Sequence, residues 1–404
     1  MRALAGFMAA SVLAACGGRA VTPPAPVRDA SSASGSAFDA GLRVAERHRV
    51  AELAQRRFTH AELWRALAPA LASPALRTEE IGQSLEGREL RAVTFGGGAT
   101  RVLLWSQMHG DESTATMALA DVLRWMADTT HDPLRERLRR ELTVVMVPML
   151  NPDGAEVFER ENAAGIDVNR DARRLATPEA RALKALRDRL RPQFGFNLHD
   201  QQARTRVGPR GTQAAIALLA PPRDERREYD DVRSRARLVA ATLADGFARV
   251  IPGRVSKYDD AFNPRAFGDL MQQWGTSTVL IESGALPDDP QKQRLRALNV
   301  AALLDALDAI ATRRYLAADP QRYEQLPYNT GGASDLLIVG GQLVVPGRPP
   351  LRADVAVNFD DAVARTGGRV RDVGDLAGAV AIDTLDATGL FVHAGEPALT
   401  RGPR

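Results

Sequence analysis

Hydrophobic residues recur along this chain in two alternating rhythms. Continuous apolar runs occupy residues 101–108, 142–150, 194–198 and 276–281. Residues 113–126, 178–190, 229–248 and 290–315 instead carry apolar positions at the spacing of an amphipathic helix. Short apolar runs alternating with helices predict an α/β fold: a mixed, largely parallel sheet with helices on both faces. Each run ends on a polar residue, in order His109, Asn151, His199 and Glu282. The carboxyl edge of an open α/β sheet is where ligands bind, so these residues are the first candidates for a site.

The flanks differ. Residues 17–40 are rich in Gly, Pro, Ala and Ser and predict a flexible tether, with helical patterning starting near Ala37. Thr59 and Glu62 have capping-box spacing ahead of Leu63, Trp64 and Leu67, which predicts a helix start. Residues 81–88 read as a strand breaking into a turn, and residues 89–95 as the returning strand. After about Arg322 a breaker cluster, Pro327-Tyr328-Asn329-Thr330-Gly331-Gly332, precedes short β-like runs at 335–339, 342–345, 353–357 and 379–382. The predicted domains are therefore a large α/β domain over 41–322 and a small all-β domain over 330–398.

The chain has 404 residues, 45% hydrophobic and 25% charged, which is ordinary globular composition. Net charge is +3; the basic residues are almost all arginine, interleaved with acids, with lysine only at 184, 257 and 292. Such solvated helix faces argue against nucleic-acid binding. The single cysteine, Cys16, closes a short apolar stretch, Leu13-Ala14-Ala15-Cys16-Gly17, behind a positive start. That stretch is too short to span a bilayer. It resembles the lipobox of bacterial lipoproteins, which implies a signal peptide over 1–16, lipidation of Cys16 and a membrane anchor. Gly17 at the next position favours the outer membrane, facing the periplasm. An ordinary secretory signal containing a cysteine is the alternative. Nothing in the sequence fixes an oligomeric state.

His109 and Glu112, three residues apart where a strand turns into a helix, can aim an imidazole nitrogen and a carboxylate at one point. Zinc accepts such ligands and needs a third from the protein. Downstream come Asn151-Pro152-Asp153-Gly154, Arg160, Gly165-Ile166-Asp167-Val168-Asn169-Arg170, Asn197-Leu198-His199 and Ile281-Glu282-Ser283-Gly284. In this order, over roughly residues 56–315, the pattern resembles the M14 family of zinc carboxypeptidases. The stretch from Phe58 to Ser84-Leu85-Glu86-Gly87-Arg88 is similar to that family's entrance to its catalytic domain.

The resemblance implies a bound Zn2+ held by His109, Glu112 and His199, with Glu282 as general base and Arg160 stabilising the oxyanion. It implies that Asn169 and Arg170 hold the carboxylate of a peptide substrate with a free C-terminus. Tyr258 is the candidate for a tyrosine that closes over substrate, with a loop-packing aromatic as its alternative. The specificity pocket is expected within residues 263–273. A zinc amidohydrolase acting on N-acyl amino acids or cell-wall peptides would use the same set, and a non-catalytic binding protein would keep the same fold. His48, His60, His131 and His393 read as structural or exposed. Residues 335–344 and 385–389 resemble the small β domain that frames amidohydrolase barrels, without that family's metal-binding histidine pair.

Overall fold

The computed structural model describes residues 36–209, 211–393 and 399–401. Cys16 and the expected signal peptide lie outside the described residues. From the amino end, α1 (Ala37–Arg47) and α2 (His60–Leu71) lead into β1 (Leu76–Gln83), β2 (Glu89–Gly96) and β3 (Thr100–Ser106). Then follow α3 (Thr114–Ala127), α4 (Pro133–Glu141), β4 (Leu142–Val147), α5 (Pro152–Val157), α6 (Pro178–Leu190) and β5 (Phe194–Asp200). β6 (Arg206–Val207), β7 (Ile216–Leu219), α7 (Asp231–Val250), β8 (Val255–Lys257), α8 (Phe267–Gln273), β9 (Ser277–Ser283) and α9 (Gln293–Ala311) complete this part. α10 (Gln321–Glu324) and β10 (Asn329–Thr330) lead to β11 (Ser334–Val344), β12 (Leu351–Asp361), β13 (Thr366–Gly374), β14 (Ala381–Asp386), β15 (Leu390–His393) and β16 (Leu399–Arg401).

Eight strands form one sheet in the order β1-β2-β4-β3-β5-β9-β7-β8. Its centre, β4-β3-β5-β9, is parallel, and antiparallel pairings join β1 to β2, β2 to β4 and β7 to β9. The predicted α/β architecture is thus the observed one. Alternate residues of β3 face opposite ways, as a pleated strand requires. Val102 and Leu104 join a core with Phe196, Ile281 and the apolar faces of α3 and α9, while Leu103 and Trp105 pack with Val147, Leu183 and Phe267. The parallel register aligns Trp105 with both Val147 and Asn197, and His199 with Glu282. All four apolar runs therefore finish on one edge.

Local chemistry sets the helix starts. The Thr59–Glu62 capping box is present in both directions at α2, and Thr177 caps α6 ahead of Pro178. The tether boundary is corrected. α1 begins at Ala37, inside the span 17–40, because the Ser36 side chain accepts from Asp39 N and Phe38 is fully buried. Gly41 lets α1 approach α9 closely; a Cβ there would lie 2.5 Å from Ala301 Cα. Arg296 on α9 and Asp121 on α3 form a fully buried pair, and Arg296 also donates to the carbonyls of Val50 and Leu53. That satisfied network pins the chain between α1 and α2, since a buried charge is tolerated only when paired and hydrogen-bonded.

The C-terminal sheet runs β13-β12-β11-β15-β16, with β14 also paired to β11, around a small core of Ile338, Val355, Ala387 and Val392. Its connection to the larger sheet is packed: Tyr323 is fully buried and its hydroxyl accepts from Ala220 N at 3.0 Å. Among the described residues no helix is long and apolar enough to cross a membrane.

Candidate metal centre

After β3 the backbone turns sharply at Gln107, whose φ is 51°. Its side chain donates to Gly110 O at 2.8 Å and its carbonyl accepts from Asn151 N at 2.9 Å. Glu112 N then bonds back to His109 O, which brings the two side chains together just before α3. His109 Nδ1 lies 2.7 Å from Glu112 Oε1, and His199 Nδ1 lies 2.7 Å from Glu112 Oε2. The two Nδ1 atoms are 3.2 Å apart. All three residues are buried, and one ligand atom from each falls within 4.8 Å of the others.

Surrounding groups fix these side chains. Asp167 Oδ1 sits 3.0 Å from His109 Nε2, and the amide of Asn169 lies 3.3 Å from His199 Nε2. Backbone N–H of Asp200 donates to Glu112 Oε2 at 3.1 Å. Burial alone would lower the His109 pKa, but Glu112 and Asp167 raise it to about 9. Burial likewise opposes ionisation of Glu112, yet the two imidazoles hold it far below the usual carboxylate range. Burial lowers the pKa of His199. This is a negative centre between two imidazoles, with the outer ring nitrogens held by polar partners, an arrangement that suits a divalent cation.

Arg160 reaches this centre rather than its neighbours Glu159 and Glu161. Its NH1 is 3.2 Å from Glu112 Oε1, and its NH2 donates to Asp167 Oδ2 at 2.8 Å. The Asn-Pro-Asp-Gly motif places it. Asn151 caps α5 by accepting from Gly154 N, while its amide donates to Arg160 O at 3.2 Å. Gly110 N also reaches that carbonyl, at 3.4 Å. A Cβ on Gly110 would lie 2.0 Å from Gly154 C, so the His109 turn and α5 touch backbone to backbone. Asp153 in turn accepts from Ser84 Oγ, Glu86 N and Arg88 NH1, which ties the Ser-Leu-Glu-Gly-Arg turn to the same helix.

A cleft of about 1090 Å³ opens over the centre and is lined by His109, Glu112, Arg160, Arg170, Tyr258 and Glu282, among others. Glu282 is buried beside His199, and its carboxyl is held well above the usual range by burial and by the charge of Glu112. The ion pairs among the described residues leave Glu282 without an arginine partner, unlike Glu112 and Asp167. Tyr258 follows β8 and lines the same cleft as Glu282; the Glu282 charge, then burial, push its hydroxyl up to about 12. Asn169 and Arg170 share one turn of 3-10 helix, and Asn169 Oδ1 accepts from Phe267 N at the start of α8. His109, Glu112, Arg160, Asn169, Arg170, Tyr258 and Glu282 thus line one cleft, and His199 joins them through its contacts with His109 and Glu112.

Several contributors carry no role in the sequence reading. Asp167 is one; its place two residues before Asn169 in a polar loop was its only signal. Asp200 and Lys292 are others, paired at 2.9 Å behind Glu112. Asp111 Oδ1 is buried at the cleft with no hydrogen-bond partner among the described residues. Asp269, on α8, lies within the expected pocket segment, and burial raises it to about 7. The remaining histidines sit elsewhere: His48 pairs with Asp128, His60 with Glu89 O, and His131 with Glu136 at the surface.

The donor chemistry, two nitrogens and a carboxylate converging in a buried site that opens to a cleft, fits zinc with one position left open. Residues 64–203 match the family model Peptidase_M14, described as zinc carboxypeptidase. Carboxypeptidase 2 of Trichophyton tonsurans is 29% identical over 110 residues, 27% of this chain and 20% of that protein. Carboxypeptidase SOL1 of Arabidopsis thaliana is 35% identical over 65 residues, 16% of this chain and 13% of that protein. The matches thus span a fifth or less of these curated relatives. Among solved structures, a metallo-carboxypeptidase from Burkholderia cenocepacia superposes with a TM-score of 0.50 at 19% identity, over 63% of this chain and 70% of that one. Bovine thrombin-activatable fibrinolysis inhibitor superposes with a TM-score of 0.53 at 12% identity, over 65% of this chain and 99% of that one. Residues 64–203 thus carry the sequence signature of the Peptidase_M14 zinc carboxypeptidases, on the fold of the metallocarboxypeptidases.

Proposed function

We propose that this chain is a zinc-dependent metallocarboxypeptidase that hydrolyses the last peptide bond of substrates with a free C-terminus. The supporting observation is that the His109, Glu112 and His199 cluster opens, through His109 and Glu112, on a cleft also lined by Arg160, Arg170, Tyr258 and Glu282. His109, Glu112 and His199 would hold the metal. A zinc ion held there would supply a bound water with its pKa lowered to about 7 and would polarise the scissile carbonyl.

The chain supplies the rest. Glu282 takes the proton of the attacking water and returns it to the leaving nitrogen. Its place in the cleft lining, aligned in register with His199 and free of an arginine partner among the described residues, suits that exchange. Arg160 faces the carbonyl oxygen as it gains charge. Asn169 and Arg170 bind the terminal carboxylate; the planar guanidinium fork matches a carboxylate bidentately. Tyr258 closes the cleft beside Glu282.

The polar cleft supports a second reading, a related amidohydrolase acting on N-acyl amino acids or cell-wall peptides. We further read Cys16 as a lipidated N-terminus that anchors the protein to the outer membrane, facing the periplasm. Palmitate labelling that Cys16→Ser abolishes would support the anchor; labelling that persists would remove it. The activity test incubates the chain from Gly17 onward with a mixed peptide pool, with and without a zinc chelator, and reads the masses. Stepwise loss of C-terminal residues that the chelator abolishes is expected. An unchanged pool with zinc still bound would move the reading to acyl-amino-acid or wall-derived amides.

A further inference from the structure

The cleft is not built by the large sheet alone. Asp360, Asp361, Ala362 and Val363, at the turn between β12 and β13, line the same cavity as His109 and Glu282. The turn is internally ordered: Asp361 Oδ1 accepts from Val363 N at 3.0 Å and Ala364 N at 2.9 Å.

Two clamps hold it in place. Arg56 pairs with Asp361, lies over the Phe158 ring at 5.4 Å, and accepts through its carbonyl from Ser113, the residue after Glu112. Arg204, five residues past His199, donates Nε to Asp335 Oδ2 at 2.9 Å and NH2 to Phe359 O at 2.6 Å. Asp335 is buried and also accepts from Phe359 N at 2.6 Å, so the base of the turn and the loop after β5 share one carboxylate. Charge-assisted bonds of this kind, partly withdrawn from water, are stronger than neutral ones and fix geometry.

Neither clamp touches the end of the cleft formed by Asn169, Arg170 and α8. That end is tied instead through Phe267 N to Asn169 and through Arg265 Nε to Arg170 O. The residues lining the cleft therefore fall into two separately tied groups, one equipped for a carboxylate and one carrying the β12–β13 turn. A substrate whose terminal carboxylate is held by the first group leaves the second to meet its acyl side.

Resting on the peptidase reading, we propose that the β12–β13 turn is the wall of the acyl side of the cleft. The C-terminal sheet is then a specificity element. It admits substrates with a short acyl part, such as N-acylated amino acids, dipeptides and tripeptides, and discriminates against long peptides. Because both clamps are ion pairs, the wall does not yield without breaking one of them.

The test measures kcat/KM of the zinc-loaded chain on an N-acetyl dipeptide and on a decapeptide ending in the same two residues. Wild type is expected to favour the short substrate. Arg204→Ala loosens a clamp, and Ala362→Gly with Val363→Gly trims the wall while leaving both clamps intact. In each, the decapeptide-to-dipeptide ratio is expected to rise about tenfold, the size of effect a few side-chain contacts carry. Zinc content is read alongside, so that a misfolded variant is recognised and the trimmed turn decides. Hydrolysis of both substrates with the ratio unchanged in the trimmed turn would overturn the wall alone. Hydrolysis of neither by the wild type would remove the peptidase reading and the wall with it.

Discussion

Asp167 holds His109 and Arg160 at once: its Oδ1 lies 3.0 Å from His109 Nε2, and its Oδ2 accepts from Arg160 Nε and NH2 at 3.1 and 2.8 Å. One carboxylate thus orients a candidate metal-ligand ring and the guanidinium beside it. Partners of this kind typically carry a factor of about 10–100 in metal affinity. Asp167→Asn is expected to weaken zinc binding by that order, read by competition against a chromophoric chelator. Unchanged affinity would reduce the contact to a surface ion pair.

Glu282 sits across from His199 in register yet outside the ligand cluster. Glu282→Gln is therefore expected to keep zinc stoichiometry and far-ultraviolet dichroism while turnover falls by about 10²–10⁴. His199→Ala is expected to lose the metal instead. A Gln variant with normal turnover would refute the general-base role.

Lys292 and Asp200 test a different layer. Asp200 is buried, pushed upward by burial, and held by Lys292 and by Thr114 Oγ1 at 2.6 Å. Removing one member of a buried pair leaves the other uncompensated, which typically costs about 3–5 kcal/mol. Lys292→Met is expected to lose stability on that scale in urea denaturation, and adding Asp200→Asn is expected to recover part of it. Equal stability of the single variant and wild type would show that water reaches this pair.

Asp269 gives the molecule a pH dependence. Its folded pKa, raised from 3.8 to about 7, means that the folded state holds a proton the unfolded chain releases. Stability therefore falls as pH rises between about 4 and 7, by up to roughly 4 kcal/mol if the whole shift is realised. Asp269→Asn keeps an acceptor for Asn263 N without the charge. Its melting temperature is expected to exceed wild type at pH 8 and to match it near pH 4. A parallel offset at both pH values would exclude titration of this group as the cause.

The parts visible in the sequence were those with a local signature. His109, Asn151, His199 and Glu282 each end an apolar run, so strand periodicity alone marked them, and the parallel register then aligned His199 with Glu282. Thr59 and Glu62 announced α2 by capping chemistry. β13 had no such signature: all but the last of its residues are exposed, and glycines and arginines replace the alternation that marks a half-buried strand. The contacts of Asp167 with His109, of Lys292 with Asp200, and of the Arg204 and Arg56 clamps join residues 58 to 305 positions apart, and no local period encodes such a pairing. Ser36, Ala37 and Ala40 share the small-residue composition of the segment before them, so composition does not separate α1 from it; the buried Phe38 is what commits that turn to the core.

Gly110 and Gly154 meet with no room between them for one methyl group. The turn carrying His109 and Glu112 and the α5 helix leading to Arg160 are thereby set at a fixed height above each other, by contact of main chain on main chain. Side chains elsewhere around the centre can be exchanged and repacked; this spacing has no side chain through which to adjust. The tolerance of the whole centre to sequence change is thus smallest at two residues that offer no chemistry of their own.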